Sequence, residues 1–151
     1  MTAWTHYWKK ATAQGQAHGL LDHTAGNSFR SRGVGNGDRV YVISFWDGTL
    51  KVLGRLDVDR IVDQAEAERI QGEQLWDADD HVLAERGSAS KLGVRVVPDS
   101  KLGKIEFINA DGSMVGVKYN RRGKVEGMTF QVEVREITTT TARLFDQLLG
   151  C

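Results

Sequence analysis

The sequence predicts an α+β domain: a small, curled, mostly antiparallel β-barrel with short helices packed on it and a C-terminal helix. Two observations predict it. Runs of β-branched and aromatic residues are joined by tight turns, which favours antiparallel pairing. One of these runs, Thr49 to Val62, is long enough that it must curl, and a curled sheet that closes on itself hides its edges.

Trp4, Tyr7 and Trp8 open the chain and fit both a strand and a helix spacing. The threonines and aromatics favour a strand near residues 3–8, followed by a short helix near 8–15. Residues 20–37 form a polar, glycine-rich connection with a helical turn around 25–31. Arg39 to Phe45 is a strand, Asp47-Gly48 a hairpin turn, and Thr49 to Val62 the returning strand. Gly54 sits where that strand must bend or change phase. Gln64 to Gln71 reads as a helix stopped by Gly72. Leu75 to Ala84 is acidic and reads as a helical turn or loop. Short strands follow at 94–97, 104–108 and 114–119, then a basic turn at 121–124 and an alternating strand at 130–137. Threonines from Thr138 cap a helix carrying Ala142, Leu144, Phe145, Leu148 and Leu149. The tally is about six strands and two to four short helices.

The chain has 151 residues, 40% of them hydrophobic, and a mean hydropathy of -0.37, which suits one water-facing domain over residues 1–151. No charged N-terminal segment leads into an apolar run, and no apolar stretch approaches roughly 20 residues. A cytoplasmic location with no membrane partner is therefore expected. The single cysteine, Cys151, excludes an intramolecular disulfide. Net charge is zero, which excludes a global basic field. The charge is nevertheless segregated. Residues 1–56 hold seven basic and three acidic side chains, residues 57–90 three and ten, and residues 91–151 ten and seven.

Three constellations carry chemistry. The first runs from Asp22 to Asp38. It gathers His23, Thr24, Asn27, Ser28, Phe29, Arg30 and Arg32, then leads into the strand ending Ser44-Phe45-Trp46. Asparagine pairs with a base edge, arginine grips phosphate, and a tryptophan ring stacks on a base. The same residues also serve as turn caps and hairpin cover. The second, Trp76 to His81, lacks Ca²⁺-loop spacing and a second nearby histidine, so it reads as a solvated acidic face and not a metal site. The third, Lys118, Arg121, Arg122 and Lys124, is a solvated turn or a phosphate clamp. No nucleophile elbow and no dinucleotide fingerprint occurs, and no cofactor is expected.

The run Ala25-x-Asn27-x-Phe29-Arg30, then Val34, Gly37-Asp38 and a strand ending Ser44-Phe45-Trp46, resembles the EVE domain. Gly26 occupies the position of that pattern's arginine. The Gly-Asp-plus-strand feature recurs in the wider PUA-like group, with its ASCH and YTH relatives. The resemblance covers residues 23–58. It implies a PUA-like pseudo-barrel and a nucleic-acid-binding module for DNA or RNA, with a base-sized pocket for a modified or flipped-out base. On that analogy the pocket lies between the 23–32 loop and the barrel mouth. Trp46 and Phe29 stack, His23, Thr24 and Asn27 hydrogen-bond beside Ser44, and Arg30 and Arg32 hold phosphate.

Binding is thus expected rather than catalysis. The alternatives are an ASCH-like hydrolase of a modified nucleoside, using Thr24 with Lys51 or Lys9, and a protein-interaction module dimerising through the Leu144–Leu149 helix. The sequence sets neither the oligomeric state nor the identity of the base.

Overall fold

The computed structural model describes residues 1–16 and 18–151. Its core strand pair is the predicted hairpin. Strand β3 (Arg39–Trp46) turns at Asp47-Gly48 into β4 (Thr49–Val62). Asp47 takes a positive φ of 50° there and Gly48 one of 73°, the geometry such a two-residue turn requires.

Along β3, Val40 and Val42 enter one apolar layer while Tyr41 and Ile43 enter another, so both faces of the strand are covered. Strand β4 reaches both layers differently. Leu50 and Val52 join the second layer, whereas Leu53, Leu56 and Val58 join the first. Strict alternation would keep residues 50, 52, 56 and 58 together. The register breaks between Val42 and Ile43, which pair with Gly54 and Val52, so Leu53 is one extra residue opposite no partner. That bulge, beside Gly54, is the expected phase change. A side chain at residue 54 would meet Ser90, Leu92 and Leu21 within 3.4 Å, so the covering loop lies directly on the backbone there.

The remaining strands extend from this pair. Strand β1 (Ala3–Tyr7) runs parallel to β3 and antiparallel to β9 (Val134–Ile137). Strand β9 pairs with β7 (Glu106–Ile108), and β7 with β8 (Met114–Gly116). On the other side, β4 pairs with β5 (Asp80–Ala84), and β5 with β2 (His23–Gly26). Strand β6 (Arg95–Val96) pairs with β4 at Lys51 and Val52. The helices are α1 (Lys10–Gln16), α2 (Phe29–Arg32), α3 (Gln64–Gln71), α4 (Asp99–Leu102) and α5 (Thr139–Leu149). Among the described residues, no helix is long and apolar enough to cross a membrane.

The protein is therefore α+β with a mostly antiparallel sheet, and it departs from the expected strands in three ways. Among the described residues the sheet has nine strands, and two of them, residues 23–26 and 80–84, fall where loop or a helical turn was expected and pair with each other. Both strands are short, and β2 finds its only partner among the described residues, β5, about 57 residues away, beyond the reach of local propensity. The strand expected at 130–137 begins only at Val134. A 3₁₀ turn at Gly127–Thr129 precedes it, and Val132 is 39% exposed. Finally, the hydrogen-bonded path runs openly from β2 to β8, and among the described residues no ladder joins these two edges. The two edge strands are four and three residues long.

Helix α5 seals the second layer with Leu144 and Phe145. Its cap is Thr138, whose Oγ1 accepts the Thr141 N–H. Asp146 ties the helix to the sheet, accepting from the Tyr41 hydroxyl at 2.7 Å and from Arg55 at 2.6 Å. Ala142, Leu144 and Phe145 of α5 are buried in the chain's own core, and Leu148 and Leu149 pack against it partly buried.

Candidate functional site

A cleft of about 570 Å³ opens where β1 ends, between His6, Trp8, Thr12, Gly26, Trp76 and Glu133. A depression of about 290 Å³ shares Trp8, Gly15, Gln16 and Trp76 with it and adds Asp22, His23 and Glu73. The two form one groove bordered by two tryptophans.

Trp8 is anchored at three points. Its N–H donates to the Ile43 carbonyl at 2.8 Å, and its carbonyl accepts from Ser44 Oγ at 2.5 Å. Its indole N–H donates to Thr24 Oγ1 at 3.0 Å. The ring is only 4% exposed, whereas Trp76 across the groove is 40% exposed. A fixed floor and a free opposing ring suit a flat ligand.

His6 lies behind the floor. Its Nδ1–H donates to the Glu133 carbonyl at 2.7 Å, and its ring packs on Phe29 with centroids 4.7 Å apart. Burial holds its pKa below the ordinary value, so the ring is neutral at pH 7. The Glu133 carboxylate closes the first turn of α2, accepting from the N–H of Asn27 and Ser28 and from the Ser28 hydroxyl. This carboxylate lies so close to residue 26 that a Cβ there would collide with it, and that Cβ would also sit 3.2 Å from the Phe29 ring. A side chain at residue 26 therefore requires the Glu133 carboxylate to move off Asn27 and Ser28.

His23 Nε2 and His81 Nδ1 are 2.8 Å apart, and His81 Nε2 lies 2.6 Å from Gln64 Oε1. The His23 ring lies edge to edge and nearly coplanar with His81, at 16°, and stands 5.9 Å from Trp76. Burial, then the neighbouring His81, pulls the pKa of His23 down to about 4. Burial also lowers that of His81. Three depressed histidines in or beside one groove mark it as the candidate site. A second cleft of about 570 Å³ lies between Phe45, Leu102, Tyr119 and Lys124, and it is lined by no histidine and no tryptophan.

The eight residues singled out in the sequence divide into three groups. His23 lines the groove. Thr24 and Ser44 are buried and hold Trp8, and Phe29 is buried under His6. The others do not meet on a common cavity. Asn27 Oδ1 accepts the Asp79 N–H at 2.9 Å. Arg30 donates to the Ile61 carbonyl and lies 3.7 Å from Asp80. Arg32 borders a separate depression with Trp4, Asn109 and Glu136. Trp46 packs on the first apolar layer with Lys51 Nζ 4.2 Å from its ring centre. The expected meeting of Asn27, Arg30 and Trp46 fails because each already has a partner within the fold.

Trp8, Trp76, His6 and Glu133 take their place. Trp4, His6 and Trp8 alternate along the chain, and that spacing was the available signal for two of them. Glu133 is 127 residues from His6 and carries no local signal. Thr24 and Lys51 form no nucleophile–base pair: Thr24 faces the Trp8 indole, and Lys51 Nζ donates to the carbonyls of Trp46 and Thr49. Among the described residues, no three metal-ligating side chains are grouped. The chain matches no protein-family model, no curated protein and no solved structure.

Proposed function

We propose that this protein is a nucleic-acid-binding module that accepts one flat base, unstacked from its strand and carrying a modification, between Trp8 and Trp76. The supporting observation is that an immobilised indole and an exposed one border the same cleft of about 570 Å³. A base inserted there gains stacking worth about 1–3 kcal/mol. His23, neutral and lining the groove, provides a hydrogen-bonding edge without repelling or attracting charge. Lys9 borders the cleft, with Lys10 next to it in sequence, and these supply the phosphate contacts first expected of Arg30 and Arg32.

The fold that accompanies this reading is a PUA-like pseudo-barrel of the EVE-resembling kind. The parallel β1–β3 pair at the centre of the sheet and the short α2 leading toward β3 support it.

Tryptophan fluorescence during titration with short single-stranded oligonucleotides, modified and unmodified, at two salt concentrations tests the proposal. Quenching that weakens with salt and disappears in Trp76→Ala supports it. Absence of binding to every oligonucleotide at low salt overturns it.

A further inference from the structure

The protonation state of His23 follows from two backbone groups three side chains away. Gln64 Nε2 donates to the Leu75 carbonyl at 3.0 Å, and Gln64 Oε1 accepts the Ala78 N–H at 3.0 Å. A carbonyl only accepts and an amide N–H only donates, so the orientation of the Gln64 amide is fixed. The atom facing His81 Nε2 is therefore an oxygen, and His81 Nε2 must carry the hydrogen. In a neutral ring that leaves His81 Nδ1 as an acceptor, so His23 Nε2 carries the hydrogen between the two rings. His23 Nδ1 is left as a bare lone pair. It has no hydrogen-bond partner among the described residues, and His23 is one of the side chains that line the groove.

Two carboxylates, Asp22 and Glu73, add acceptors to that depression, which Gln16, His18 and Gln71 also border, and the Trp76 ring stands 5.9 Å from His23 at a tilt of 49°. A ligand edge made of carbonyl oxygens meets three acceptors there. An edge carrying an amino group supplies two hydrogens to them.

We infer that the groove selects bases bearing an exocyclic amino group, of the adenine or cytosine type, with His23 Nδ1 as the acceptor that reads it. This rests on the base-binding reading above. The charged groups around the pair are Asp22 and Glu73 on the His23 side and Asp63, Glu68 and Asp80 around His81. A proton added to the pair ends on His23 Nδ1 whichever ring holds the charge, because the shared hydrogen can shift along the chain. The acceptor then becomes a donor, and selection for the amino group is lost.

The test compares oligonucleotides with a central adenine or cytosine against the same strands carrying purine or 2-pyrimidinone, which lack only the amino group. Each is titrated against the wild type and His23→Phe by fluorescence quenching at pH 7.5. The wild type is expected to bind the amino-bearing strands about tenfold more tightly, and His23→Phe to bind all of them alike. Nitrogen-15 spectra of the histidines supply a readout that does not need a ligand: both His23 and His81 are expected as the Nε2–H form. Equal wild-type affinity for amino and deamino strands, or an Nδ1–H form of His23, overturns this inference while leaving base binding intact. No quenching by any of these strands overturns this inference, and base binding itself falls if the modified oligonucleotides of the preceding test also fail to bind.

Discussion

The indole N–H of Trp8 donates to the buried hydroxyl of Thr24 across 3.0 Å, linking the end of the first strand to the middle of β2. Thr24→Val keeps the shape and removes the acceptor, leaving a buried N–H without a partner. It is expected to lower stability by about 1–2 kcal/mol and to weaken ligand affinity, whereas Thr24→Ser changes neither much. Urea midpoints for both variants check this.

Gly26→Ala drives a methyl group into a carboxylate already held by Asn27 and Ser28. A destabilisation of about 2 kcal/mol is expected. In a Glu133→Ala background the same change is expected to cost much less. A double-mutant cycle measures that coupling, and additive penalties would sink the explanation.

Asp146 receives both the Tyr41 hydroxyl and the Arg55 guanidinium, and the two charged side chains are about one-fifth exposed. Asp146→Ala is expected to lower stability by about 2 kcal/mol, chiefly by stranding Arg55. Arg55→Ala in the Asp146→Ala protein is then expected to add little. Thermal or urea unfolding of the three proteins decides it.

The buried histidines also make stability depend on pH. His23 titrates at about 4 in the folded chain, below the ordinary histidine value of 6.5. Between those two values the unfolded chain binds more protons, so stability falls as pH drops. His6 and His81, shifted in the same direction, steepen the fall. Above about pH 7 the full contribution is present, and each histidine adds a slope of up to about 1.4 kcal/mol per pH unit within its window. Urea midpoints at pH 7.5, 6 and 5 are expected to decline, less steeply in His23→Phe. A flat profile would refute it.

Elements whose partners are close in sequence were legible. The β3–β4 hairpin, α3 and α5 follow from Asp47-Gly48, from the Gly72 stop, and from Thr138 with its apolar stripe. The β2–β5 pair was hidden, because His-Thr-Ala-Gly has no strand signature until Val82 and His81 lie beside it. The site was legible in the same proportion. His23 could be named from its neighbourhood, and Thr24, Phe29 and Ser44 were singled out but act from behind the groove. Trp76 meets Trp8 only through folding, and a polar residue such as Asn27 or Arg30 looks the same in sequence whether its partner is a ligand or the chain itself.

The unpaired residue at Leu53 fixes the length of β4 as firmly as its composition. Removing or adding one residue downstream of it would send Leu56 and Val58 to the wrong side of the sheet and expose both interiors at once. Variation in chain length should therefore be confined to the surface segments, while this strand changes only by substitution.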